Sequence, residues 1–158
     1  MSPQPVPVRV VALDHRDPTL PLPRHATPGS AGLDLPACLP EADRAAGWNL
    51  PPMGRVLVPT GLAFEIPPGL EGQVRPRSGL AVRHGITVLN SPGTIDSDYR
   101  GEVKVALINL GEAAVRLDHG ERIAQLVIAA YRQAELQIVA AIAPSRRDRG
   151  GFGSTGTG

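Results

Sequence analysis

The stretch Asn90-Ser91-Pro92-Gly93-Thr94-Ile95-Asp96-Ser97-Asp98-Tyr99-Arg100-Gly101-Glu102 lies between two alternating apolar runs, Ile86 to Leu89 and Val103 to Leu107. Such alternation marks half-buried strands, so the stretch is expected to be a turn-rich crossing between two of them. Pro92-Gly93 ends the first run. Asp96 and Asp98 follow, then Tyr99, one of five aromatic residues in the chain, and Arg100-Gly101. If the backbone about Asp96 is extended, both acids share a face with Tyr99 opposite. Like charges held that close need a cation or a polar task; equally, Asp and Ser in turns cap their own backbone.

Outward from this stretch the same grammar repeats. Val6 to Leu13 reads as a first strand, and a Pro-punctuated loop carries the chain to Gly29. In Ser30-Ala-Gly-Leu-Asp-Leu-Pro36, Asp34 sits between leucines, either bonded to a nearby amide or aimed into a site. Glu41 to Trp48 has a helical look, cut short by Gly47 and Pro51-Pro52, so a loop or single turn fits equally. Gly54 to Gly69 reads as two strands around a Pro59-Thr60-Gly61 turn, and Glu71 to Arg75 starts another. Pro76-Arg77-Ser78-Gly79-Leu80-Ala81 then breaks the pattern: Ser78 is a good N-cap and Gly85 can close a helix of under two turns. Free amides there, with the Ser78 hydroxyl, the Arg77 guanidinium and the close approach that Gly79 allows, suit phosphate oxygens; a plain capped helix with a surface arginine is the competing account. Glu112 to Leu117 is expected to be a short strand and Glu121 to Ala130 a mostly apolar one. Its odd polar residue, Gln125, must be hydrogen-bonded if buried, to a neighbouring backbone or to a ligand. Leu136 to Ala143 suggests a last strand.

Many short strands and one short helix in 158 residues point to a single all-β domain. A net charge of +1 gives no global field for nucleic acid or an anionic membrane, so any anion site must be local. One cysteine, Cys38, allows no internal disulfide, and no Cys/His cluster suggests structural zinc. No leader pattern or membrane-length apolar run stands out, and a reducing, cytoplasmic setting is expected.

Gly151-Phe-Gly-Ser-Thr-Gly156 matches G-x-G-x-x-G literally, but the dinucleotide fingerprint needs a preceding strand and a following helix that this tail lacks. What remains is a cationic, glycine-rich arm with one aromatic. Either it is a disordered terminus, or its three arginines, Phe152 and two hydroxyls form a lid for a nucleoside triphosphate.

Five segments in order, Ala31-Gly-Leu-Asp-Leu, Pro76-Arg-Ser-Gly-Leu-Ala, Asn90 through Gly101, Gly120-Glu-Arg-Ile-Ala-Gln-Leu and Gly150-Gly-Phe-Gly-Ser-Thr-Gly156, resemble the homotrimeric dUTPases. The resemblance implies a jelly-roll, β-barrel-like body over residues 1–143 and an arm over 144–158 that closes over an active site of a threefold trimer. It implies Mg²⁺-dependent hydrolysis of dUTP to dUMP and pyrophosphate, which keeps uracil out of DNA and supplies dUMP for thymidylate synthesis. In that pattern the hairpin takes uracil through Asn90 and the main chain of Gly93, Thr94 and Ile95, while Tyr99 packs under the deoxyribose and excludes a 2′-hydroxyl. Cytosine would leave fixed backbone partners unpaired, and a thymine methyl would clash. Asp96 would activate the attacking water. Arg77, Ser78, Gly79 and Gln125 would position phosphates, and Asp34 would reach Mg²⁺ through water. Phe152 would stack on uracil, with Gly153, Ser154 and Thr155 at the terminal phosphates. Counting back from Phe152, Arg147 takes the phosphate-binding arginine's place; Arg149 competes with it, and Asp148 stands where the family has glycine. A dCTP deaminase shares the fold and trimer but lacks the Ile-Asp-x-x-Tyr hairpin present here. A non-catalytic module on the same scaffold is expected to lack Asp34, Asp96 or the tail.

Overall fold

The computed structural model describes residues 5–145. Along the chain run β1 (Arg9–Ala12), β2 (Gly32–Pro36), a 3₁₀ turn (Glu41–Asp43), β3 (Trp48–Leu50), β4 (Arg55–Glu65), β5 (Leu70–Arg75), α1 (Ser78–His84), β6 (Ile86–Val88), β7 (Gly93–Ile95), β8 (Glu102–Asn109), β9 (Val115–Leu117) and β10 (Arg122–Ala130). Two four-stranded sheets, ordered β1-β4-β8-β6 and β2-β10-β5-β7, enclose the core, and β3 pairs with β9 separately. All pairings are antiparallel. The arrangement is jelly-roll-like, with two open sheets rather than a closed barrel.

Period-2 alternation explains the core. In β8, Val103, Val105 and Leu107 are buried while Lys104 faces out. They meet Leu35, Val58, Leu62, Ile123 and Leu126 from the other strands and Ile66 just past β4. Each fully buried Leu or Ile contributes roughly 1.5–3 kcal/mol of transfer free energy.

The turn expected at Pro59-Thr60-Gly61 is instead an irregularity inside one eleven-residue strand. Pairing jumps from Pro59↔Lys104 to Ala63↔Glu102, so β4 carries extra residues against β8. Gly61, at φ 68°, takes the left-handed backbone this requires. Neighbours satisfy the freed polar groups: the Thr60 hydroxyl donates to the Val103 carbonyl at 2.6 Å, and the Gly61 amide donates to the Glu102 carboxylate at 2.8 Å. The chain therefore need not reverse.

The quoted crossing passes from one sheet to the other. Val88 pairs with Leu107 in the first sheet, and five residues later Gly93 pairs with Val74 in the second. The last strand expected at Leu136 to Ala143 is absent. Leu136 and Ile138 are 92% and 103% exposed, and Val139 and Ile142 are also exposed, because among the described residues the segment finds no sheet edge to satisfy its backbone or cover its side chains.

Candidate functional site

Asp34, Gln125 and Arg75 lie in one row across β2, β10 and β5, since Gln125 is the register partner of both others. Directly opposed residues share a face, so the row lines the outer side of the sheet. Beside it starts α1. Arg77, at φ −93° and ψ 126°, is its N-cap, and its carbonyl accepts from the Leu80 and Ala81 amides at 3.1 Å. The expected cap, Ser78, is thus the first helical residue, one position inside, and no side chain caps the helix. Arg77 takes the cap place because the extended backbone forced by the β5 exit ends with it. Gly85, at φ 68°, closes the helix as expected.

These elements bound a cleft of about 380 Å³ lined by Asp34, Arg75, Arg77, Ser78, Gly79, Arg122 and Gln125, among others. Asp34 Oδ1 meets Arg77 Nε at 3.3 Å and its Oδ2 accepts from Arg122 Nη1 at 2.9 Å. Arg77 Nη1 donates to the Arg122 carbonyl at 2.8 Å. Gln125 Nε2 donates to the Pro76 carbonyl at 3.0 Å, so of its two readings the backbone tie is realised, in the wall of the cleft. Gly32 makes room for it: a Cβ there would overlap Gln125 Oε1. Two guanidiniums, of Arg77 and Arg122, meet one carboxylate and a third in the same lining, that of Arg75, is held by Gln73, an excess of positive charge that makes this a cleft for an anion.

A second cleft, of about 450 Å³, is lined by Leu57, Thr94, Ile95, Asp96, Tyr99, Glu102, Val103 and Lys104. Extended backbone ends at Ile95, and a turn closed by the Tyr99 amide on the Asp96 carbonyl at 3.1 Å follows. Asp96 and Asp98 therefore do not form a two-apart pair on a strand. Asp96 shares this cleft with Tyr99, expected opposite, and Asp98 does not line it, although both acids border a neighbouring depression with Glu71 and Tyr131. The Tyr99 hydroxyl donates to the Glu102 carbonyl at 3.0 Å, and the ring lies over Gly101, where a Cβ would come within 2.6 Å of Tyr99 Cζ. Gly101 is thus required by the ring's position.

Glu102 anchors this end. Burial pushes its carboxyl up, but hydrogen bonds from His15 at 3.0 Å and the Gly61 amide, with the charges of His15 and Lys104, outweigh that and leave it lowered. An ionised Glu102 suits a post that accepts several donors.

No residue lines both clefts, so a single chain does not bring Asp96 and Tyr99 together with Asp34, Arg77, Ser78, Gly79 and Gln125. Asn90 is exposed and Gly93 buried; both sit beside each other at the hairpin base, outside either cleft. Arg147, Phe152, Gly153, Ser154 and Thr155 lie outside the described residues. Sequence reasoning missed Arg122, Arg75, Lys104 and Glu102. Of these, only Arg122, within the motif Gly120-Glu121-Arg122, and Glu102, at the end of the Asn90 stretch, lay in a segment that the sequence singled out. Among the described residues, no group of three or more His, Cys, Asp or Glu could hold a metal ion, and no helix is long and apolar enough to cross a membrane.

A family model described as dUTPase matches residues 19–156. A deoxyuridine 5'-triphosphate nucleotidohydrolase of Anaeromyxobacter sp. (strain Fw109-5) is 59% identical over 152 residues, covering 96% of this chain and 99% of that protein. Among solved structures, the Staphylococcus bacteriophage 80alpha dUTPase with dUPNHPP matches at a TM-score of 0.83 with 24% identity, over 96% of this chain and 99% of that one. A variant dUTPase from phage phi11 of S. aureus, described with a structural Mg(II) ion, matches at a TM-score of 0.72 with 20% identity, over 87% and 99% of the two chains.

Proposed function

From the premise that this chain belongs to the dUTPase family and hydrolyses dUTP to dUMP, we propose that each active site is shared between chains of a homotrimer, with Asp96 as the base. One chain supplies the Asp96 and Tyr99 cleft for the deoxyuridine, another the Asp34, Arg77, Ser78, Gly79 and Gln125 cleft for the phosphates. The observation that carries this reading is that the two groups of residues occupy clefts with no common lining residue. The exposed apolar segment from Leu136 to Ile142 adds support, because such side chains gain by packing on another copy.

Within the site, uracil binds along the Asn90 hairpin through the main chain of Gly93, Thr94 and Ile95, and Tyr99, fixed by its bond to Glu102, packs under the sugar. The Asp96 carboxylate orients a water in line with the α-phosphorus and takes its proton as the new O–P bond forms. The bond from the α-phosphorus to its bridging oxygen breaks, and that oxygen leaves with pyrophosphate. Arg77, Ser78, Gly79 and Gln125 hold the departing phosphates, and the arm from residue 144 onward closes over them through Arg147, Phe152, Gly153, Ser154 and Thr155.

One partly buried carboxylate among arginines fits a Mg²⁺ carried mainly by triphosphate oxygens and water, with Asp34 meeting it through water. When bound, the ion would neutralise charge on the triphosphate. The single buried cysteine agrees with a cytoplasmic protein.

The test is product analysis by chromatography after incubation with Mg²⁺ and dUTP, dCTP, dTTP or UTP. dUMP and pyrophosphate from dUTP alone are expected. Deamination of dCTP, or equal turnover of UTP, would overturn the site assignment.

A further inference from the structure

Arg122 owes its direction to a bulge. Along β10, Ile123 and Ala124 are both buried, at 1% and 0% exposure, whereas Arg122 and Gln125 on either side are not. In a regular strand two residues three apart point to opposite faces, which would turn Arg122 into the core. The register against β2 shifts between Arg122 and Ala124, and this extra residue brings Arg122 round to the Gln125 face. There its Nη1 donates to Asp34 Oδ2 at 2.9 Å while its own carbonyl accepts from Arg77 Nη1 at 2.8 Å.

We propose that Arg122 is a positioning residue for dUTP hydrolysis: it closes a three-membered network with Asp34 and Arg77 that sets both for the phosphate chain. This rests on the reading of the Asp34 cleft as the phosphate end of the site. Arg122 occupies one carboxylate oxygen and Arg77 meets the other from Nε, at 3.3 Å, with Nη1 on the Arg122 carbonyl, a pose in which, among the described residues, no hydrogen bond engages Nη2. Removing the Arg122 guanidinium lets Arg77 swing onto the vacated oxygen as a two-pronged pair, away from phosphate. The same guanidinium shares with Arg77 the task of offsetting the negative charge of Asp34, so Arg77 need not be spent on it when a triphosphate enters. Arg122 is 58% exposed at its side chain, so its ion pair contributes little to folding and its loss is read in ligand binding instead.

The experiment compares Arg122→Gln and Arg122→Lys with the parent enzyme, measuring dUTP turnover and, by calorimetry with Mg²⁺, the binding of inorganic pyrophosphate and of dUMP. In Arg122→Gln, KM for dUTP and the pyrophosphate dissociation constant rise roughly tenfold or more, the loss expected for one charge-assisted hydrogen bond. The dUMP affinity and kcat stay near the parent's, and Arg122→Lys falls between. Because Arg122 acts through Asp34, the double variant with Asp34→Asn binds pyrophosphate no more weakly than the worse single variant. Parent-like pyrophosphate binding in Arg122→Gln overturns the proposal, as does an equal loss for dUMP or full additivity with Asp34→Asn. If Arg122→Gln does not fold, Arg122→Lys decides: parental KM and pyrophosphate affinity refute the role. Parental pyrophosphate affinity in Arg77→Ala, which removes a guanidinium of the same cleft, refutes the underlying reading of that cleft instead, so the two failures are told apart.

Discussion

Mixing two inactive variants gives a direct measure of whether the site is shared. Gly72 pairs with Ile95 and Arg75 pairs with Gln125 on opposite sides of β5. Three residues along the strand at about 3.3 Å each and two strand spacings of about 4.8 Å put Ile95 and Gln125 roughly 14 Å apart in one chain. A general base has to lie within about 3 Å of the water it activates. Asp96→Asn should keep dUTP binding and lose hydrolysis, and Arg77→Ala should lose phosphate placement. Each is expected to be nearly inactive alone. If Asp96 and Arg77 of one site come from neighbouring chains, random mixed trimers from equal amounts have about a quarter of their sites intact, since each of two chains must carry the right residue. Co-refolding or co-expression, native mass spectrometry to count mixed trimers, and pyrophosphate release would read this out. Activity near a quarter of the parent's is the expected result. Mixed trimers with no more activity than the separate variants would show that both residues serve a site within one chain, and would sink the shared-site reading.

Gly101→Ala should push the Tyr99 ring off its place and break its bond to the Glu102 carbonyl, costing about 1 kcal/mol in urea unfolding. The same variant should narrow the preference for dUTP over UTP; an unchanged preference would dissociate ring position from sugar selection. The hydroxyl and amide of Thr19, opposed by burial and aided by His119 and Arg44, hold the Asp17 carboxyl at about 2, down from 3.8. A carboxyl with a depressed folded pKa stabilises above its unfolded value and loses that contribution as pH falls through the folded one. Thermal midpoints should therefore drop between about pH 4 and 2 more steeply in the parent than in Asp17→Asn, and parallel slopes would contradict the assignment. Deleting Arg146 onward should leave a folded trimer with little turnover, whereas full activity of the truncated protein would refute closure by the arm.

Local pattern already determined much of this protein. Alternating apolar residues set out the strands that build both sheets, Gly85 marked the end of α1, and the motifs around Asp34, Arg77, Asp96 and Gln125 pointed to residues that line the two clefts. Such features are legible because a strand's two faces and a helix cap depend on a few consecutive residues. Pairing decided the rest. Pro59-Thr60-Gly61 has the composition of a turn, yet β8 runs beside it and Glu102 and Val103 hold its polar groups, so the strand continues. Leu136 to Ala143 has the composition of a strand, yet no partner edge among the described residues meets it. The face that Arg122 occupies follows from a one-residue register shift against β2, which no count of residues along β10 reveals. Register belongs to two strands at once, so the tertiary structure alone could turn this arginine from the core toward Asp34.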